Sequence, residues 1–296
     1  MLRFLRGRVR GFERLPALPN RGEGASSGNV QGQKNTMTKL ESYMVWDGPT
    51  RWFHWINVIC VVALAVLGTA ILYGAELGVT DDGKVLLKTT HVWFGYVFVA
   101  NLVWRVAWAF FGNRQARWAA IFPFRPGYGT AFRTYVRGLI RGDGQPHLGH
   151  NPLARLMVSL LILLLVVQAV TGLVLAGTDI YYPPFGYWFA SWVAAPGVDP
   201  WTLVPYDKTG IDAASWDAMR AFRSPFVTVH YWNFYALLFF VVIHIIGVVV
   251  TEMREGGGLV SAMFTGRKVF DRTPVDDGGG TNPDMIGPPD RQDLAI

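Results

Sequence analysis

Six histidines occur in this chain of 296 residues, and four of them, His54, His91, His230 and His244, fall within long apolar runs. An ionisable side chain inside a membrane segment is costly and marks a functional position by default. His54, His91 and His230 lie near the ends of their runs, where an imidazole hydrogen-bonded among headgroups is the competing reading. Their joint spacing says more than any one of them. His230 and His244 are 14 residues apart in one run. On an α-helix that is about 21 Å of rise and about 40° of phase. Two imidazoles therefore face one side of one helix at two depths.

The elements that must position them follow from composition. Hydrophobic residues make up 51% of the chain and charged residues 16%, against about a quarter charged in soluble domains. Such a chain can neither cover a soluble fold nor stay disordered. The reading is an all-α membrane protein, a four-transmembrane-helix bundle. The apolar runs are about 52–73, 91–111, 153–176 and 226–251, each near the 20 residues that a helix needs to cross a bilayer. Backbone polar groups in hydrocarbon must be satisfied internally, so these runs are helices. Alternating strand patterns are absent, which argues against a barrel.

Charge orients the bundle. Residues 1–51 carry nine Lys/Arg against four Asp/Glu, and residues 112–152 carry six Arg against one acid. Residues 74–90 carry two Lys against three acids, and 177–225 carry three basic residues against five Asp. Basic loops stay in the cytoplasm. Both termini are therefore expected inside, in a multi-pass membrane protein with its lipid as one partner. The formal charge of +6 is explained by this asymmetry and needs no nucleic acid.

Depth then pairs the histidines. His54 and His244 fall near the inner surface, and His91 and His230 near the outer. Two imidazole pairs at two depths fit two b-type haems, whose iron takes an axial nitrogen on each face. On this reading the four histidines are the metal ligands. Zinc wants three or four ligands, and no carboxylate or thiol is near enough in sequence. A proton relay or small transporter would use Asp or Glu within the spans, which have none. Covalent haem needs C-x-x-C-H, which is absent. Gly68, Gly95, Gly172 and Gly247 let a flat cofactor or a neighbouring helix approach the backbone. Arg51 and Arg105, near the inner ends of the first two spans, are either haem-propionate contacts or snorkelling anchors. Cys60 reads as a small packing residue. No nucleophile–base set, phosphate loop or nucleotide fingerprint is present, so no residue is assigned a catalytic role.

Residues 129–141 place Phe132, Tyr135, Val136, Leu139 and Ile140 on one helical face and Arg133, Arg137 and Arg141 on another. This is an amphipathic helix on the inner surface. The outer connection 177–225 is aromatic-rich, fitting either an interface belt or a docking cap for a partner. Residues 1–43 read as disorder or as a gene-model extension, with Met37 an alternative start and no signal-peptide core. Residues 44–270 form the domain, and 271–296 read as a disordered tail.

Arg51-Trp52-Phe53-His54-Trp55-Ile56, continuing to Gly68, resembles the first-helix signature of the b-type cytochrome subunit of nickel–iron hydrogenases. Leu67 stands where that signature usually has Thr. His230-Tyr231-Trp232 through His244, then Glu252 to Gly266-Arg267-Lys268, resembles the family's fourth helix and inner tail. The 14-residue histidine spacing is shared with formate dehydrogenase gamma subunits and the wider bacterial cytochrome b561 class. The resemblance spans about residues 44–270. It implies a membrane anchor for the small and large subunits of a periplasmic nickel–iron hydrogenase, an electron-transfer part of an oxidoreductase complex in a respiratory chain. Electrons would enter at the His91/His230 haem, cross to the His54/His244 haem and reduce a quinone there. Asn57, Arg51 and the amphipathic inner loop are the candidates for the quinone pocket. A related subunit serving a formate, thiosulfate or cytochrome c donor is the alternative.

Overall fold

The structure is a computed structural model and describes residues 40–276, apart from 125 and 272. Most of the expected N-terminal extension, Met37 included, and the tail beyond Asp276 lie outside the described residues. Among the described residues four helices are long and apolar enough to cross a membrane: α1 (Gly48–Leu72), α2 (Asp81–Phe111), α5 (Pro152–Ile180) and α7 (Ala213–Glu255). Each starts on a side chain that caps a backbone N–H. Asp47 accepts from Thr50 N at 3.0 Å, Thr80 from Gly83 N at 3.2 Å, Asn151 from Ala154 N at 2.7 Å and Asp212 from Ser215 N at 2.8 Å. Such caps satisfy donors that the first helical turn leaves open.

Two helices begin well before their apolar runs. α2 starts ten residues ahead of His91, because Thr80 caps it and Asp81 and Asp82 sit at the positive end of its dipole. That polar opening hid the helix from a hydropathy reading. α7 has 43 residues and runs through Pro225. It is about 64 Å long, roughly twice a bilayer core, so it stands out of the membrane at its N-terminal end. A single proline removes one hydrogen bond and is tolerated inside such helices.

α1 packs on α2, α5 on α7, and α2 joins the pairs through α5. Cys60, Phe98, Leu102, Leu165, Ala169 and Leu237 form the core between them. Cys60 is a packing residue there, 2% exposed. Trp52, Val66 and Ile245 face outwards, as lipid-facing residues do.

One end of the bundle carries a clasp. β1 (Glu41–Met44) pairs antiparallel with β2 (Arg267–Phe270), with Met44 opposite Arg267. Helix α8 (Leu259–Thr265) leads into β2, and Tyr43, Val45, Trp46, Ala262 and Phe270 form a small core. The domain therefore begins before residue 44. It also ends after 270: Asp276 accepts from Leu148 N at 2.6 Å and Gly149 N at 3.1 Å. Two four-residue strands so far apart in sequence leave no local signal. The one-turn α3 (Trp118–Ile121) and α4 (Tyr128–Arg141) fill the connection from α2 to α5. In α4, Tyr135 is buried while Arg133, Arg137, Ile140 and Arg141 are exposed. Gly142 ends α4 at φ 83°, the left-handed region. A Gly142→Val chain should lose about 1–2 kcal/mol, read as a lower Tm in detergent, with helix content otherwise kept.

The other end carries a cap. α6 (Gly186–Val193), a 3-10 turn at Pro200–Thr202 and the start of α7 bury Phe189, Val193, Leu203 and Met219. Tyr187 and Trp201 stack at 4.9 Å on its surface, with Trp201 75% exposed.

Candidate functional site

The four membrane histidines lie on three of the long helices, α1, α2 and α7. At the clasp end His54 of α1 and His244 of α7 lie within electrostatic reach of each other. At the cap end the same holds for His91 of α2 and His230 of α7. α7 thus contributes to both sites, while α1 and α2 each contribute to one.

At the cap end, a cavity of about 320 Å³ is lined by His91, His230 and the glycines Gly68, Gly95 and Gly172. Two of these glycines play matching parts. A Cβ on Gly68 would sit 3.4 Å from His91 Cε1, and one on Gly172 would sit 3.4 Å from His230 Cε1. Each imidazole therefore rests on a glycine of the paired helix. Gly95 meets nothing within 4 Å and opens onto the cavity. Gly247 also meets nothing within 4 Å, but it does not line this cavity.

The hydrogen bonds of His230 set its tautomer. The Thr171 hydroxyl donates to Val167 O at 2.7 Å, so its oxygen accepts from His230 Nδ1 at 2.9 Å. The Nε2 lone pair is then available, and here it accepts from Gln168 at 3.1 Å. Gln168 is held in turn by Asn233, whose amide donates to its Oε1 at 2.6 Å. A ligating imidazole with Nδ1–H bonded to an oxygen is the arrangement that presents Nε2 to a metal. The sequence reading passed over Thr171 and Gln168; only their place four residues or fewer from Gly172 could have pointed to them.

The clasp end holds several buried polar atoms without a hydrogen-bond partner. They include His54 Nδ1, Asn57 Oδ1, Arg51 Nε, Arg105 Nη1 and His150 Nδ1. Arg51 also donates to Phe264 O, which fixes it against α8. Arg105 is 4% exposed and lies over the Phe53 ring at 5.8 Å. Burial at that level does not suit a snorkelling anchor. His150, which the sequence left in a loop, packs on Trp46 at 4.9 Å. Burial and the charges of Lys268, Arg105 and Arg155, together with His244, push its pKa down to about 3. Its surroundings favour the neutral imidazole.

Lys268 is buried in the clasp and donates to His147 O at 3.1 Å and Gly149 O at 3.2 Å. Burial pushes its ammonium down to about 8, against the pull of Asp276, Glu255 and Glu252. The unfolded chain holds that proton to the usual lysine range and so binds more protons above pH 8. The stability cost of the charged lysine is full below about pH 8 and is relieved as pH climbs towards 10.5. Thermal unfolding in detergent should show this rise, and Lys268→Met should flatten it.

Among the described residues no three His, Cys, Asp or Glu side chains gather into a metal-ligating group. The donor sets are imidazole pairs between helices, beside glycine-backed space and buried polar atoms lacking partners. These features would suit a haem held by imidazoles from two helices. The family description "Prokaryotic cytochrome b561" matches residues 45–266. The chain belongs to this family. As a b-type cytochrome of four spans, it is a multi-pass membrane protein that binds haem b. A protein of Rhizobium leguminosarum bv. viciae named "Probable Ni/Fe-hydrogenase B-type cytochrome subunit" is 26% identical over 249 residues, 78% of this chain and 90% of its own length. One of the same name from Azotobacter vinelandii is 26% identical over 255 residues, 81% and 93% of the two lengths. An Escherichia coli K12 protein, "Probable Ni/Fe-hydrogenase 1 B-type cytochrome subunit", is 30% identical over 158 residues, 49% of the cytochrome and 66% of that protein. No solved structure matches the cytochrome significantly.

Proposed function

We propose that this cytochrome is the dihaem membrane subunit of a periplasmic nickel–iron hydrogenase, carrying electrons between the enzyme's iron–sulfur cluster and the quinone pool. The observation that carries this reading is the pairing of His54 with His244 and His91 with His230 at opposite ends of one bundle. The names of the relatives supply the partner. The Arg-rich loop 112–152 supports a cytoplasmic clasp end and a periplasmic cap end.

Haem bound at each pair would supply a one-electron Fe(III)/Fe(II) couple. The protein's own part is to hold and tune. α7 spaces its two imidazoles by about 21 Å of rise. Gly68 and Gly172 let the His91 and His230 rings lie against the neighbouring backbone. Thr171 fixes the His230 tautomer and adds electron density to its ring. Arg51, Asn57 and Arg105 bring polar atoms to the inner pair, where a haem carboxylate or a quinone carbonyl would meet them. The exposed Tyr187–Trp201 stack on the cap is the surface turned to the partner.

Thr171→Val should raise the midpoint potential of one haem by about 40 mV, the worth of about 1 kcal/mol of hydrogen bond in a one-electron couple. Thr171→Ser should restore it, and the second haem should not move. For the partner, the tagged cytochrome purified from its own membranes should bring down hydrogenase small and large subunits. Hydrogen gas should then reduce its b-type absorbance. Co-purification of a formate, thiosulfate or cytochrome c enzyme instead would support the other-donor reading.

A further inference from the structure

Three charged side chains reach the cavity between His91 and His230. They are Lys88 of α2, Asp179 of α5 and Arg223 of α7. Asp179 accepts from Lys88, and its other carboxylate oxygen pairs with Arg223 Nη2 at 3.1 Å. All three are well covered, their side chains 19%, 24% and 21% exposed. Arg223 Nε is buried with no hydrogen-bond partner. The remaining wall is mostly aliphatic and aromatic.

Each charge stands on the same helix face as part of the proposed haem cradle. Lys88 is three residues from His91, Arg223 is seven from His230, and Asp179 is seven from Gly172. Offsets of three and seven residues share a helix face. The cluster therefore opens onto the space between the imidazoles. It holds two cations against one carboxylate. A surplus positive charge in an apolar cavity is unfavourable unless an anion joins it. A haem carries two propionate carboxylates.

On the reading that haem binds between His91 and His230, we infer that Lys88 and Arg223 anchor its propionates. Asp179 is the positioning carboxylate that keeps both cations aimed at the cavity. Lys88 is further steadied over the Tyr206 ring, 4.9 Å from its centre. The cluster also sets the potential of this haem. A cation near the iron favours the reduced state, which carries one more negative charge, and Asp179 opposes it.

The test is a potentiometric titration of the full chain in its native membranes, with haem content measured beside it. Lys88→Gln and Arg223→Gln should each move one haem to a more negative midpoint and weaken its retention. It should be the haem that His91→Ala removes. Asp179→Asn should move that haem to a more positive midpoint and keep both haems, because the propionates hold the cations in place. Lys88→Gln/Asp179→Asn should return the midpoint towards that of the unaltered chain. A salt bridge that merely staples α2, α5 and α7 predicts otherwise: Asp179→Asn would strand two cations and lose the haem. That loss, shifts of the same sign in Lys88→Gln and Asp179→Asn, or no shift at all in a chain that keeps two haems, would overturn the inference. An unaltered chain without haem at this site would instead defeat the reading on which it rests.

Discussion

His91→Ala and His230→Ala chains should lose the same haem, and His54→Ala and His244→Ala chains should lose the other. Each variant keeps about half the haem of the unaltered protein, and hydrogen-driven quinone reduction falls to background in all four. The effect is large because, on the proposed reading, each haem would be held by one imidazole from each of two helices. Removing one would leave the group held from one side only. The grouping of the four variants matters more than the loss. α7 carries both His230 and His244, so a defect that simply loosened α7 would affect both haems alike. Pyridine haemochrome content and the two midpoints, read on each variant, separate these outcomes. A grouping of His54 with His230 would contradict the proposed pairing of His54 with His244 and His91 with His230.

Asp47→Ala should be the most destabilising single change outside the spans. Asp47 caps α1 through Thr50 N at 3.0 Å and accepts from Trp108 Nε1 at 2.9 Å and Asn113 N at 3.3 Å. It therefore ties the start of α1 to the end of α2, beside the buried Arg105. Burial pushes its carboxyl up, but the hydrogen bonds from Thr50, Trp108 and Asn113 outweigh it and leave the pKa below the ordinary carboxylate value. A carboxylate held down in this way stabilises the fold at neutral pH and loses that contribution as pH falls through the carboxylate range. The expected loss in Asp47→Ala is about 2–3 kcal/mol, from one helix cap and two stranded donors. Asp47→Asn should recover more than half, since asparagine also caps. Thermal unfolding in detergent measures both, and equal loss in the two variants would show that charge alone matters.

The bundle was legible because hydrocarbon permits so few structures. Four apolar runs and a basic-loop asymmetry were enough to count the spans. The shared face of His230 and His244 was legible because an α-helix has fixed rise and phase, and both do lie on one continuous helix, α7. Helix ends were less so. Asp81–Thr90 and Ala213–Pro225 are polar or broken by proline, and hydropathy ends where the membrane ends, whereas the helix does not. The β1–β2 clasp was hidden for a different reason: its strands are short, and their pairing is set by the bundle bringing residues 41–44 and 267–270 to one place. Thr171 and Gln168 escaped because a hydroxyl or amide in an apolar helix reads as packing until the facing imidazole is known. Lys88, Asp179 and Arg223 sat in segments assigned to loops, and only the extra turns of α2, α5 and α7 bring them to the cavity wall.

The pairing of four histidines around two porphyrins is tested most directly by the haem b content of the purified, unaltered chain, with its oxidised low-spin spectrum. Two haems per polypeptide, both six-coordinate with two imidazoles and titrating as separate one-electron couples, is the result expected. One haem per chain, or a high-spin five-coordinate species in a fully loaded preparation, would contradict it.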